Sequence, residues 1–165
     1  MVASDVLKNK RVLAVDDEPD VVDTVAEILD MCLLDKATDF DTALDLLYKS
    51  KYDLVILDIQ GVNGIELLKH SVAKGFPTVM LTAHGARPDT LKQSIALGAS
   101  AFLPKEYMTN LLELIEDIMV GKPQRLWWRE SMKCTEKYFD KKYGSDWKEK
   151  DAFFRRFMES LESNT

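Results

Sequence analysis

Asp16 and Asp17, Asp58, Thr82 and Lys105 each follow a short apolar run, and together they make a set suited to phosphate chemistry. Three carboxylates supply the oxygen ligands that a hard divalent cation such as Mg2+ (or Mn2+) takes together with water and phosphate oxygens. A hydroxyl and an ammonium supply the donor and the cation that a phosphoryl group needs. Converging on one place, these groups imply phosphoryl transfer to a carboxylate.

The elements that must position them follow from the spacing of apolar residues. Runs at 12–15, 54–57, 78–81 and 101–103 are too short and too rich in β-branched or aromatic residues for helix, and they predict buried strands. A weaker strand is expected at 33–37. Between the strands, apolar residues recur at helical spacing: Val21, Val22, Val25, Ile28, Leu29 and Cys32 behind Pro19, then Ala43, Leu44, Leu46 and Leu47, then Ile65, Leu67, Leu68 and Val72. Leu91, Ile95 and Leu97 mark a fourth helix ended by Gly98, and a fifth is expected at 108–120. Five βα units predict a parallel sheet covered on both faces by right-handed crossovers. The strand order expected for five units is the flavodoxin-like, doubly wound 2-1-3-4-5. All strand C-termini then share one edge, and the switch point lies between the strands that deliver Asp16/Asp17 and Asp58. Strand five is placed at the sheet edge, where Pro104 is tolerated.

Each of these residues alone has an ordinary structural explanation. Asp16-Asp17 can cap a helix at its positive end, Asp58 and Thr82 can satisfy their own turns, and Lys105 can point into solvent. Complementary groups at four separate strand ends are hard to obtain from packing alone, and that agreement carries the functional reading.

The segments VLAVDDEPDV, DLVILDI, VMLTAHG and GASAFLPK resemble the signature segments of the bacterial two-component response regulator receiver family, of chemotaxis type, over residues 11–120. The resemblance implies that Asp58 is the phospho-acceptor and that Asp16 and Asp17 hold Mg2+ with Asp58 and the backbone carbonyl of Gln60. It implies that Thr82 turns toward the phosphoryl group, that Lys105 pairs with it, and that the rotamer of Phe102 follows Thr82. Ala83 matches the small residue that leaves the phosphate reachable, while Gln60 and His84 hold the positions that tune phosphoryl lifetime. A sensor histidine kinase or phosphotransfer protein is implied as donor, with readout to a downstream protein through the fourth helix, fifth strand and fifth helix. The chain departs from the family pattern twice. The loop after Asp58 is shorter than the usual Met-Pro-containing loop, and Glu106 stands where a proline usually follows the lysine.

Beyond this region the composition changes. Net charge is −9 through Gly121 and +3 from Lys122 onward, within an overall −6. We therefore expect a phospho-receiver domain at 1–121 and a helical extension at 122–165 that is not an independent output domain. In the extension Trp127, Ser131, Cys134 and Tyr138 line one stripe, Trp128, Met132, Phe139 and Tyr143 the next. A second helix opened by Ser145 carries Phe153, Phe154, Phe157, Met158 and Leu161. So much aromatic surface has to pack on the receiver, on itself, or on another chain as a homodimer or partner complex. The extension is too short for a winged helix, so nucleic-acid binding is not expected, and the lysines read as a solvated face. Cys32 and Cys134 form no CxxC pair, no apolar run is long enough to span a bilayer, and the N-terminal residues lack a secretory core, so a cytoplasmic location is expected. A signalling protein with at most self-catalysed phosphotransfer and autodephosphorylation is expected, rather than an enzyme. A scaffold that binds partners without phosphorylation is the alternative, and the intact Asp58, acidic pair, Thr82 and Lys105 argue against it. An aspartyl phosphatase would want an acid two positions after Asp58, where Gln60 stands.

Overall fold

The computed structural model of the chain describes residues 3–83 and 86–162. Five parallel strands, β1 (Arg11–Val15), β2 (Leu33–Ala37), β3 (Leu54–Asp58), β4 (Thr78–Thr82) and β5 (Ala101–Pro104), form one sheet in the order 2-1-3-4-5. Helices alternate with them: α1 (Ala3–Leu7) before β1, then α2 (Pro19–Ile28), α3 (Phe40–Lys49), α4 (Gly64–Ala73), α5 (Pro88–Ala96) and α6 (Leu111–Val120). Two further helices, α7 (Gln124–Tyr143) and α8 (Ala152–Glu162), follow. The flavodoxin-like order is thus the one the spacing predicts.

Because side chains alternate across a strand, each strand feeds two cores. Leu13, Val55, Leu57, Met80 and Phe102 point into one, with α3, α4, α5, α7 and α8. Val12, Ala14, Ile56, Val79, Leu81 and Leu103 point into the other, with α1, α2 and α6. The strands are consequently apolar at almost every position, as a sheet buried on both faces requires. Strand β2 is the exception: Leu33 and Lys36 are exposed on the edge strand, which explains its weak sequence signal.

Three local features differ from expectation. Helix α1 was not anticipated; it is a little over one turn long and is held by fully buried Leu7. The residues after β5 form a 3-10 turn, Lys105–Asn110, so α6 begins later than the spacing suggested. Ser145 does not open the last helix. Residues 145–150 are turns, and Asp151 caps α8 by accepting the Phe153 N–H at 2.8 Å.

Helix α7 lies along the free edge of β5. Ser131 and Thr135 are its fully buried polar residues, and their small side chains let helix and strand backbones approach closely. The Thr135 hydroxyl donates to the Phe102 carbonyl at 3.3 Å, and the Trp128 indole N–H donates to the Ala99 carbonyl at 3.2 Å. Trp128, Met132 and Phe139 enter one core while Cys134 and Trp127 enter the other, so α7 seals both cores at the sheet margin. An open strand edge invites pairing with another chain, and α7 covers this one. Among the described residues no helix is long and apolar enough to cross a membrane.

Candidate functional site

The C-terminal ends of β1, β3, β4 and β5 bring four of the predicted positions to one edge of the sheet. Asp16 follows β1 directly, its N–H donating to the Ala37 carbonyl at 3.1 Å, and it is 2% exposed. Asp58 is the last residue of β3 and is 3% exposed. Lys105 follows β5, and its ammonium lies 2.6 Å from Asp16 Oδ2 and 3.0 Å from Asp58 Oδ1. Three charges from three strands therefore meet in a largely buried cluster. The substitution of Glu106 for the usual proline does not displace the lysine from it, and no cis peptide bond occurs among the described residues.

Two glycines allow this approach. A Cβ on Gly64 would stand 1.9 Å from the Asp58 carbonyl oxygen, so only glycine lets α4 start against the end of β3. Gly61 has φ +80, a conformation that favours glycine, and a Cβ there would meet Asp17 Oδ2 at 2.4 Å, so a side chain at 61 would strain the shortened loop and push the Asp17 carboxylate aside.

Burial pushes the Asp58 carboxyl up to about 6 from an ordinary 3.8; Lys105 pulls it down, and the neighbouring Asp16 and Asp17 push it up again. Mutual repulsion among the acids is thus secondary to loss of solvent. At neutral pH Asp58 is still mostly ionised. For Lys105, burial opposes the charge, yet its bonds to Asp16 and Asp58 outweigh burial and hold its pKa above the ordinary lysine value. Lys105 is therefore a permanent cation beside the carboxylates.

Carboxylate oxygens of Asp16, Asp17 and Glu18 lie within 4.8 Å of one another, a spacing that fits one metal ion. Asp16 Oδ1 accepts the Glu18 N–H at 2.9 Å, and buried Asp16 Oδ2 faces the Lys105 ammonium. An anionic, all-oxygen donor set of this kind suits a hard divalent cation. Glu18 is not among the ligands expected from sequence; its place directly after two acids is the signal that points to it. Asp17 is exposed on the same rim, and Gln60 lies exposed in the loop between β3 and α4.

Thr82 ends β4 and is buried. Met80 pairs with Phe102 and Thr82 with Pro104 across the two strands, so Thr82 and Phe102 stand on the same face of the sheet, diagonal to each other. Phe102 is 0% exposed and packs on Phe139 of α7, with ring centroids 6.3 Å apart. Ala83 is half-buried beside Thr82, and His84 lies outside the described residues.

This arrangement can bind a divalent cation, present a buried but ionised carboxylate, and neutralise a phosphoryl group with a lysine. Comparison with known proteins agrees with that chemistry. The family described as response regulator receiver domain matches residues 12–116. The phosphate regulon transcriptional regulatory protein PhoB of Escherichia coli is 31% identical over 106 residues, covering 59% of this chain and 46% of PhoB. The transcriptional regulatory protein CpxR of Klebsiella pneumoniae is 35% identical over 131 residues, covering 76% of this chain and 54% of CpxR. This chain thus spans about half the length of these relatives. Among solved structures, the chemotaxis response regulator CheY4 of Vibrio cholerae superposes with a TM-score of 0.53 at 28% identity, over 59% of this chain and 88% of that one. NtrX of Brucella abortus superposes with a TM-score of 0.60 at 32% identity, over 74% of this chain and 29% of NtrX. Receiver domains are signalling domains of two-component systems, typically Mg2+-dependent, and a five-stranded parallel sheet in the order 2-1-3-4-5 is their fold. The chain belongs to the response regulator receiver family.

Proposed function

We propose that residues 1–121 act as a phospho-receiver in which Asp58 takes a phosphoryl group from a histidine kinase or phosphotransfer protein, and that residues 122–165 are an integral helical extension rather than an output domain. The observation that carries this reading is the placement of Asp58: buried at the end of β3 and 3.0 Å from the Lys105 ammonium. Burial raises the basicity of the carboxylate without neutralising it, which improves the nucleophile. An Asp58 oxygen attacks the donor phosphorus in line, the bond from phosphorus to the donor nitrogen breaks, and that nitrogen leaves with its electron pair and takes a proton. Lys105 neutralises charge on the transferring oxygens, so the protein contributes position and field.

Asp16, Asp17 and Asp58, with Glu18 beside them and the Gln60 carbonyl expected in the shell, would hold the divalent cation. When bound, Mg2+ supplies charge neutralisation at the phosphoryl oxygens. Thr82 donates to a phosphoryl oxygen once Asp58 is modified, and Phe102 moves into the space Thr82 leaves. Gln60 and His84, which hold the sequence positions that tune lifetime in the family, set the lifetime of the acyl phosphate, whose hydrolysis is at most self-catalysed. The partners are the phosphoryl donor and a downstream protein, and the location is the cytoplasm. Mass measurement of the intact protein after incubation with Mg2+ and a small acyl phosphate tests the proposal: one acid-labile phosphoryl group is gained, and it is lost in Asp58→Asn. A scaffold that works without phosphorylation gains none.

A further inference from the structure

Several contacts of the helical extension fall on parts of the receiver that flank the site. Phe139 closes over the Phe102 ring, and Thr135 bonds the carbonyl of the same residue. At the far end of α7 the Tyr143 hydroxyl donates to the Ala86 carbonyl at 3.2 Å, in the loop that leads from Thr82 to α5. Beyond it Asp151, at the start of α8, pairs with Lys92 of α5. One helix thus touches both the aromatic residue beside Thr82 and the loop directly after Thr82.

From this we infer that α7 is the receiver's built-in occupant and sensor: its docking along β5 is coupled to the state of Asp58, and phosphorylation weakens it. The inference rests on the proposed phosphorylation of Asp58. The α7 edge contact belongs to the unphosphorylated arrangement described above. Withdrawal of Thr82 toward a phosphoryl oxygen shifts the loop that carries Ala86, and inward motion of Phe102 removes the ring on which Phe139 rests. A close-packed aromatic layer has no partial compensation for a ring that leaves, so the loss falls on α7. Coupling is reciprocal, so an extension held less firmly favours the phosphorylated state.

Amide hydrogen exchange on the full chain, read over residues 124–143 with and without Mg2+ and acetyl phosphate, tests this, with intact mass followed in the same samples. The expected result is exchange in α7 that is about fivefold or more faster in the phosphorylated protein, within the usual range of coupling between sites. Exchange in α2 and α3, which pack around β1 and β2 at the end of the sheet away from β5, stays constant, and Asp58→Asn shows no response. Phe139→Leu speeds α7 exchange before phosphorylation and flattens the further increase, while its phosphoryl gain persists. Tyr143→Phe, which deletes only one hydroxyl, flattens it in part and serves should the Phe139 variant fold poorly. A phosphoryl gain with unchanged α7 protection overturns the coupling and leaves the receiver reading intact, as does acceleration spread equally over α2 and α3. An increase of the same size in both variants and wild type overturns the assigned contacts. Absence of any mass gain overturns the receiver reading, and the coupling with it.

Discussion

Removing the charge of Asp58 while keeping its shape is expected to stabilise the metal-free protein. Burial lifts the Asp58 carboxyl from 3.8 to about 6, so the folded state prefers it protonated by roughly two pH units. At 1.36 kcal/mol per unit, ionised Asp58 costs the fold about 3 kcal/mol above pH 7. The folded pKa lies above the unfolded one, so the associated stability is complete below about pH 4 and is lost as pH rises through about 6. Asp58→Asn mimics the protonated acid at every pH and retains a carbonyl for Lys105. In a chelator at pH 7.5 the variant should therefore exceed wild type by about 3 kcal/mol, which for a chain of this size is roughly 6 to 12 °C in Tm. The two proteins should converge near pH 4. Denaturant unfolding at a series of pH values, supported by thermal scans, measures both the gap and its slope. A variant that is neutral or destabilised at pH 7.5, or a gap that does not close on acidification, would show that Asp58 is an ordinary turn residue whose charge the fold tolerates.

Mg2+ at about a hundredfold excess over its dissociation constant should stabilise wild type by roughly 2.7 kcal/mol, and Asp17→Asn much less, by the same unfolding assay. Lys105→Met leaves Asp16 and Asp58 buried without their cation, and should destabilise at neutral pH by about 3 to 5 kcal/mol with recovery below pH 5, as well as slow the gain of phosphoryl mass. Gly64→Ala places a methyl group against the Asp58 carbonyl, and should lower stability by about 1 to 3 kcal/mol and displace the acceptor, seen as slower phosphorylation. Phe139→Ala empties a fully buried position between Phe102, Tyr138, Tyr143 and Trp147, and should cost about 3 to 5 kcal/mol with new binding of an apolar dye.

The sheet and the site edge were readable in the sequence for one physical reason: strands buried on both faces are continuous apolar runs, and the polar residue ending each run marks the same edge. Strand β2 was faint because half of it faces water, with Leu33, Lys36 and an ion-paired Asp35 breaking the run. The short helix α1 left no periodic signal, since a single residue, Leu7, anchors it. Ser145 satisfies the local rule for a helix cap, but Trp147 buries against Phe139 and Phe154 and holds the following residues in turns, so Asp151 takes the cap instead. The apolar stripes of α7 announced that it needed a surface without saying which. Its placement is decided by contacts far apart in the chain, such as Thr135 on Phe102 and Trp128 on Ala99. Lys105 between two acids likewise follows from topology, since nothing near residue 105 in sequence carries a partner carboxylate of that site.

The most direct test of the central claim is the mass of the intact protein after exposure to Mg2+ and acetyl phosphate, measured in parallel for wild type, Asp58→Asn and wild type with chelator. Gain of one acid-labile phosphoryl group by wild type alone is the predicted result. A gain that persists in Asp58→Asn, or no gain in any sample, would contradict it.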